Sequence, residues 1–464
     1  MQAYLVALVI LGASVAAGHA ILWLCGWTGW SGAAPAVGLA TLLIVAAAAV
    51  KLPANATTAA GVLALVTIAS VAVLWRSRAK RDRLALEVPC AGVLALAVAA
   101  IPFVAQARIG LLGVGINNDN AVHLVWTEAL RSDLMAQFYG IPNYPLGPHS
   151  LMASLAAGTG IPTDTVLTGL LIAIPALTAM TACVALDPLP RLLRAPAAVL
   201  VAFTYMLSAW YAQGAFKEPL MALLVLAFVV VLAQWLREPR RSRLAAIPLG
   251  LLLAGAVLTY SYAGVAWAVA ACGLVAALLF ITNIRRPKRI IAGVRAAFLP
   301  VVFAALAALV AIAVRVPDLI DTFRVFGTSP ADSGDGPIAT TNIGNLIGPL
   351  PLEQAFGIWP TGDFRQPAVL DVCVPAASAV PGCTAIGMQE PLQLLAIAAV
   401  IFGVVWCLLR REFVLPAAIV GALAIYVVAE RRESPYIAAK TLVVMAPLLT
   451  LVALRALLAT WGQD

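Results

Sequence analysis

The chain is short of charge. Of its 464 residues only 11% are charged and three are histidine, against 63% that are hydrophobic, and a composition so poor in solvating groups excludes an ordinary soluble domain. No glycine-rich phosphate loop closed by Lys-Ser or Lys-Thr is present, nor a dinucleotide fingerprint opening a helix, which argues against an ATP-driven pump or a cytosolic nucleotide-sugar enzyme. Heptads, tandem repeats of roughly 20 to 50 residues and low-complexity tails are also absent, so neither a coiled coil nor a solenoid is expected. Barrel-type alternation is missing, which leaves helices as the way to cross a bilayer.

What the chain does have is a series of apolar runs of roughly 20 residues, each long enough to cross a hydrocarbon core of about 30 Å as a helix. The expected fold is therefore an all-α polytopic membrane protein with about thirteen transmembrane helices. They lie near 3–25, 34–52, 57–75, 86–108, 165–186, 195–213, 217–236, 245–260, 263–283, 290–315, 391–409, 412–429 and 441–460. No basic residue precedes the first, which disfavours a cleavable signal peptide and fits an outward N-terminus. Four parts follow: N-terminal helices over 1–85, a core over 86–315, a loop over 316–390 and C-terminal helices over 391–464.

The formal net charge is +8, but its distribution is not a nucleic-acid footprint. Most Lys and Arg residues gather in short loops: Arg76, Arg78, Lys80, Arg81 and Arg83; Arg191 and Arg194; Arg237, Arg240, Arg241 and Arg243; Arg285, Arg286, Lys288 and Arg289; Arg410 and Arg411. By the positive-inside bias these mark the cytoplasmic face, with anionic membrane lipids as partners and no nucleic acid. That orientation leaves two long extracytoplasmic segments, 109–164 and 316–390. The second carries the turn signals Ser329-Pro330, Ser333-Gly334-Asp335-Gly336-Pro337 and Pro349-Leu350-Pro351, and reads as a small cap on the membrane portion.

Of seven cysteines, Cys90, Cys183, Cys272 and Cys407 fall within spans and Cys25 near the end of one, where each serves as a small apolar side chain. Cys373 and Cys383 lie in the outer segment, where oxidising conditions permit a disulfide between them; free thiols are the alternative, and the spacing does not suit a metal.

The polar stretch Asn117-Asn118-Asp119-Asn120, followed by His123, Glu128 and Tyr144-Pro145-Leu146-Gly147-Pro148-His149, interrupts the apolar pattern beside a span. Carboxylates and imidazoles there carry a desolvation cost that chemistry would justify. Read as a helix from about Asn120, the stretch places Asp119, His123, Thr127 and Arg131 on one polar stripe, with Val122, Val125, Trp126 and Ala129 on an apolar face toward lipid. The alternative is an interfacial helix with a merely solvated polar face.

An acid opening a helix, the Tyr-Pro-x-Gly-x-His turn and the return to the membrane together resemble the first extracytoplasmic loop of the GT-C glycosyltransferases. These polytopic enzymes transfer sugars from polyprenyl-phosphate carriers. The resemblance is clearest over 86–186 and continues as helix pattern to about 315. It implies a GT-C-like fold and an inverting transferase acting on the outer side of a bacterial cytoplasmic membrane. Its donor would be a polyprenyl-phosphate sugar and its acceptor an envelope glycan or glycolipid. The Ala-, Val- and Arg-rich composition suits a high-GC actinomycete, where arabinofuranose or mannose on decaprenyl phosphate would be the leading donors. Asp119 matches the family's catalytic base. The second acid common in that pattern is replaced by Asn118 and Asn120, and neither a metal nor a cofactor is expected.

Transfer from a lipid phosphate needs a base on the acceptor hydroxyl, a dry site and cations for the departing phosphate. Candidate cations are Arg431, Arg432 and Lys440, in an outer loop that runs against the charge bias, together with Lys217. The alternatives are surface pairing of the arginines with Glu430 and Glu433, and an ion pair between Lys217 and Glu218. His123 is placed to orient Asp119 and His149 to donate to phosphate, or both are structural. His19 reads as an interhelical contact. Glu128 is a candidate second acid or acceptor contact; Tyr260 and Tyr262 are interfacial anchors or sugar-stacking rings; Trp359 and Asp363 bind acceptor glycan or pack a turn. The rival readings are a lipid-linked-sugar flippase, which predicts ionisable residues in mid-span and an internal repeat, and a noncatalytic member of an envelope complex.

Overall fold

The computed structural model describes residues 1–76, 85–113, 119–139, 144–238, 242–327, 344, 346, 349–356 and 389–459. Trp359, Asp363, Cys373 and Cys383 lie outside the described residues, as do Asn117 and Asn118. Among the described residues the fold is helical with no strand.

Nineteen α-helices follow in order among these residues. They are α1 (Gln2–Leu24), α2 (Ala34–Ala49), α3 (Asn55–Arg76), α4 (Glu87–Ala99), α5 (Ile101–Ala105), α6 (Asp119–Arg131), α7 (Asp133–Tyr139), α8 (Gly147–Thr159), α9 (Thr163–Ala185), α10 (Arg191–Ala202), α11 (Tyr205–Ala212), α12 (Lys217–Arg237), α13 (Ile247–Tyr260), α14 (Ala266–Asn283), α15 (Pro287–Ile312), α16 (Val316–Gly327), α17 (Gln389–Leu409), α18 (Val414–Arg432) and α19 (Pro435–Leu457).

Among the described residues ten helices are long and apolar enough to cross a membrane, or eleven if α10 and α11, bent by 56° at their junction, form one span. The protein is a multi-pass membrane protein. Its count differs from thirteen for local reasons. The second expected span, α2, is only 16 residues long, and the sixth is the bent pair, broken where Thr204 leaves the helix and caps α11 through Leu207 N. The eighth and ninth form one continuous helical run over Ile247–Asn283. That run nevertheless turns back on itself. Ser261 has φ 61°, and a Cβ on Gly264 would lie 2.5 Å from the carbonyl oxygen of Ala256. In a straight helix residues eight apart would be about 12 Å apart.

Burial sorts the helices into an inner and an outer set. Helices α9, α12 and α19 are buried along most of their length, whereas α3, α15 and α17 expose theirs, as lipid-facing helices do. Small residues bring backbones close where helices cross. Any side chain on Gly18 would collide with the carbonyl of Ala34, and one on Gly38 with the carbonyl of Ser14, so α1 and α2 meet at near backbone contact.

Two polar belts terminate the bundle. Arg194 pairs with Glu87 at 2.9 Å, Arg237 with Asp187 at 3.3 Å and Glu412 at 3.1 Å, and the buried Arg455 with Asp187 at 3.2 Å and Glu412 at 2.8 Å. The other belt holds Lys217, Glu218, Tyr436 and Lys440. Lys217 and Arg237 are the two ends of α12, so the belts are separated by roughly 30 Å, the thickness of a hydrocarbon core.

Candidate functional site

Three helices begin at the second belt. Helix α6 opens with Asp119, α12 with Lys217 and Glu218, and α19 with Pro435 and Tyr436 behind the N-cap Ser434, whose Oγ accepts from Ile437 N at 3.3 Å. Their dipoles give this end of the bundle a partial positive charge.

Asn120 fixes the start of α6. It is buried, and its Nδ2 donates to the carbonyls of Leu112 and Gln213, both at 3.2 Å. The two loops it joins are interlocked: Gly113 has φ 70° with its Cα against the Gln213 carbonyl, and Gly214 has φ 74°, where a Cβ would lie 2.5 Å from Leu112 O and 2.6 Å from Asn120 Nδ2. Only glycine combines that backbone with that approach. The loop around Gly113 and the 213–216 turn are thereby joined, and Asp119 is carried to within reach of α12 and α19.

A cavity of about 110 Å³ results, lined by Asp119, His123, Trp126, Lys217, Glu218, Tyr436 and Lys440 among others. Tyr436 OH donates to Asp119 Oδ2 at 3.1 Å. Glu218 is buried; its Oε1 accepts from Tyr260 OH at 3.1 Å and pairs with Lys440 Nζ at 3.2 Å. Lys217, also buried, donates to Tyr144 OH and lies 4.1 Å from the centroid of that ring and 5.4 Å from that of Tyr260, while Lys440 lies 4.1 Å from the Tyr436 centroid. Ring faces and two carboxylates thus offset two ammonium groups in a nearly dry setting. Burial pushes the Tyr144 phenol up to about 12, so it stays protonated.

Behind this row lies an imidazole pair. His149 Nε2 is 3.0 Å from His123 Nδ1, and the rings of Trp126, Tyr144 and Phe216 surround the two. Burial holds both imidazoles well below their ordinary value, with further repulsion from Lys217 and Lys440 at His123 and from His123 and Lys217 at His149.

Asp119 and His123 of α6, Lys217 of α12 and Lys440 of α19, from helices far apart in sequence, line one cavity, and Tyr260 reaches it through Glu218. Others are placed differently. His149 is fully buried, so it backs His123 instead of meeting a phosphate directly. Glu128 points away from the cavity: Oε1 accepts from Thr163 Oγ1 at 2.6 Å and Oε2 pairs with Arg131 Nε at 2.8 Å. Arg431 and Arg432 are exposed on the last turn of α18 and do not line the cavity; Tyr262 is exposed with its ring against Phe323. The apolar side of α6 also departs from a lipid-facing surface, since Trp126 turns inward to pack on Tyr144 at 4.6 Å. His19 packs on Trp30, at 4.3 Å.

Four contributors were not singled out as site residues: Asn120, Tyr144, Glu218 and Tyr436. Glu218 had a signal, an acid directly after Lys217 at the mouth of an apolar span. Tyr144 lies in the Tyr-Pro-x-Gly-x-His turn and Tyr436 between Arg432 and Lys440, but only the chain path brings both to one cavity. From the segment between α16 and α17, Gly344 (φ 54°) rests on the Tyr436 ring, where a Cβ would lie 2.5 Å from the nearest ring atom.

No family model, no curated protein and no solved structure matches this chain.

Proposed function

We propose that this protein is a membrane glycosyltransferase of the GT-C kind, moving a sugar from a polyprenyl-phosphate donor to an envelope glycan or glycolipid. Arabinofuranose and mannose are the favoured sugars, and the outer side of a bacterial cytoplasmic membrane is the place of reaction. The observation that carries this reading is the company Asp119 keeps. At the start of a helix this carboxylate shares a small cavity with two lysines, a phenol and Glu218, which is itself paired with Lys440, at the end of the bundle opposite the arginine-rich loops.

Each group has a role in that reaction. Asp119 takes the proton of the attacking acceptor hydroxyl. Lys217 and Lys440, with the converging helix N-termini, offset the charge that develops on the departing phosphate. Glu218 keeps the pair of lysines neutralised before substrate arrives, and Tyr436 orients the Asp119 carboxylate. One displacement inverts the anomeric centre, so the paired carboxylates of glycoside hydrolysis are not required. The cavity volume suits a phosphate and part of one sugar ring, with lipid chain and acceptor outside it.

With α2 and the bent α10–α11 pair each crossing once, and α13 and α14 crossing separately, the bundle makes thirteen crossings. The site then lies outside, and so do the described residues of 109–164 that line it.

The test is sugar transfer by the purified protein in nanodiscs, offered polyprenyl-phosphate arabinofuranose or mannose with envelope glycolipid acceptors. Transfer is expected from wild type and lost in Asp119→Asn. A correctly folded Asp119→Asn that turns over normally refutes the assignment of the base.

A further inference from the structure

We infer that His149 is a positioning residue that fixes His123 in its Nε2–H tautomer, so that His123 offers a hydrogen-bond donor, not a base, to the cavity. The role of that donor rests on the transferase reading, whereas the tautomer does not.

The contact between His149 Nε2 and His123 Nδ1, 3.0 Å, holds one proton between two nitrogens. Two neutral arrangements are possible. In the first, His149 carries its proton on Nε2 and donates it to His123 Nδ1. In the second, His123 donates from Nδ1, and His149, accepting at Nε2, must carry its own proton on Nδ1. That second nitrogen is buried and has no hydrogen-bond partner among the described residues. His149 is fully buried and enclosed by Trp126, Tyr144 and Phe216, so the second arrangement would bury an N–H with nothing to accept it. A buried donor without an acceptor is rarer and costlier than a lone pair without a donor, and the first arrangement leaves only the lone pair. A doubly protonated ring is disfavoured by the same burial and by the nearby lysines.

The consequence lies at the other edge of His123. With Nδ1 occupied as an acceptor, the ring's single proton is on Nε2, the nitrogen left for the cavity that His123 lines. Four residues from Asp119 on the same helix, His123 therefore does not compete for the acceptor proton. It donates to an oxygen of the departing phosphate while Asp119 alone acts as base. His149 touches no substrate in this arrangement; it acts through His123.

The chain has only three histidines, which makes the tautomer directly readable. Full-length protein carrying 15N-histidine is reconstituted in nanodiscs, and single substitutions assign the ring nitrogens of His19, His123 and His149 by NMR. The expected result is a bare Nδ1 and a protonated Nε2 on His123, with a protonated Nε2 on His149. A proton on His123 Nδ1, or a doubly protonated ring, overturns the inference. A second arm compares His149→Gln, whose amide supplies an N–H close to the lost Nε2–H, with His149→Phe, which keeps the bulk and removes the donor. Transfer by the Gln variant is expected within about 3-fold of wild type, and kcat of the Phe variant lower by about 10-fold or more, as for other groups that orient an imidazole from behind. Equal losses in both, with the His123 tautomer unchanged, refute the positioning role. If wild type transfers no sugar from any donor, the reaction proposed above fails while the NMR result still decides the tautomer.

Discussion

The pairing of Glu218 with Lys440 lends itself to a quantitative test, because the cavity is balanced at two carboxylates, Asp119 and Glu218, against two ammonium groups, Lys217 and Lys440. Glu218→Gln keeps the shape and the acceptor that Tyr260 uses but leaves two cations facing one anion; Lys440→Met leaves two anions facing one cation. Breaking a buried pair by removing one partner costs about 3–5 kcal/mol. The Lys440 side chain is 22% exposed and that of Glu218 only 6%, so water softens the penalty on one side and about 2–3 kcal/mol is expected for each single change. The double variant is neutral again. It should cost at least about 1.5 kcal/mol less than the sum of the singles, a coupling in the range found for contacting charged residues. Reversible unfolding of the protein in mixed micelles, titrated with denaturing detergent, supplies the four stabilities of the cycle. Additivity to within about 0.5 kcal/mol would show that the two charges do not depend on each other, and the balanced-cavity reasoning would fall with it.

Three further outcomes follow from the geometry. Because His123 and His149 are held well below 6.5 when folded, the unfolded chain binds their protons first. Their contribution is intact above about pH 6.5 and declines as pH falls below it, by up to about 1.4 kcal/mol per pH unit for each ring. Unfolding measured at pH 7.5, 6 and 5 should show that slope reduced in His149→Phe, and an unchanged slope would contradict the burial of the pair. Gly214→Ala places a methyl group against Leu112 O and Asn120 Nδ2 on a φ of 74°, so a loss of about 1–3 kcal/mol and slower sugar transfer are expected. The same change at Gly12, mid-helix with open space around it, should be neutral or slightly stabilising in the same unfolding assay.

The membrane class was legible in the sequence because it rests on run length and composition alone, and Asp119 opening a helix was legible because the polar period changes there. Helix count was less legible, for hydropathy does not distinguish a short buried helix such as α2, a bend like that at Thr204, or a reversal like that at Ser261 from uniform spans. Site membership was partly legible. Charged residues at the mouths of spans were visible one by one, but whether Arg431 or Lys440 turns inward depends on a single helical turn and on the cap at Ser434. Glu128 illustrates the limit: it lies on the right helix, yet its azimuth takes it to Thr163 and Arg131 instead of the cavity. The glycine interlock at 113 and 214, which carries Asp119 to its place, joins loops about 100 residues apart and leaves no local pattern.

The distribution of ionisable groups along the inner helices also favours the proposed transferase over a flippase. Past Lys217 and Glu218, α12 carries no ionisable residue until Arg237, and past Lys440, α19 carries none until Arg455. A sugar-phosphate headgroup crossing between these belts would traverse an apolar interior walled by Leu220, Leu224, Val231, Leu442, Met445 and Leu449, all buried. It would lose its hydration without gaining polar partners, at a cost that carriers avoid by placing binding groups near the midplane. Lipid-linked sugar reconstituted on one leaflet of vesicles containing this protein should therefore stay there as it does in protein-free vesicles, while sugar is still passed to an acceptor on the cavity side. Movement of the headgroup between leaflets at a rate that depends on the protein, without transfer, would mean that the polar belt is an entrance to a path and not a place of reaction.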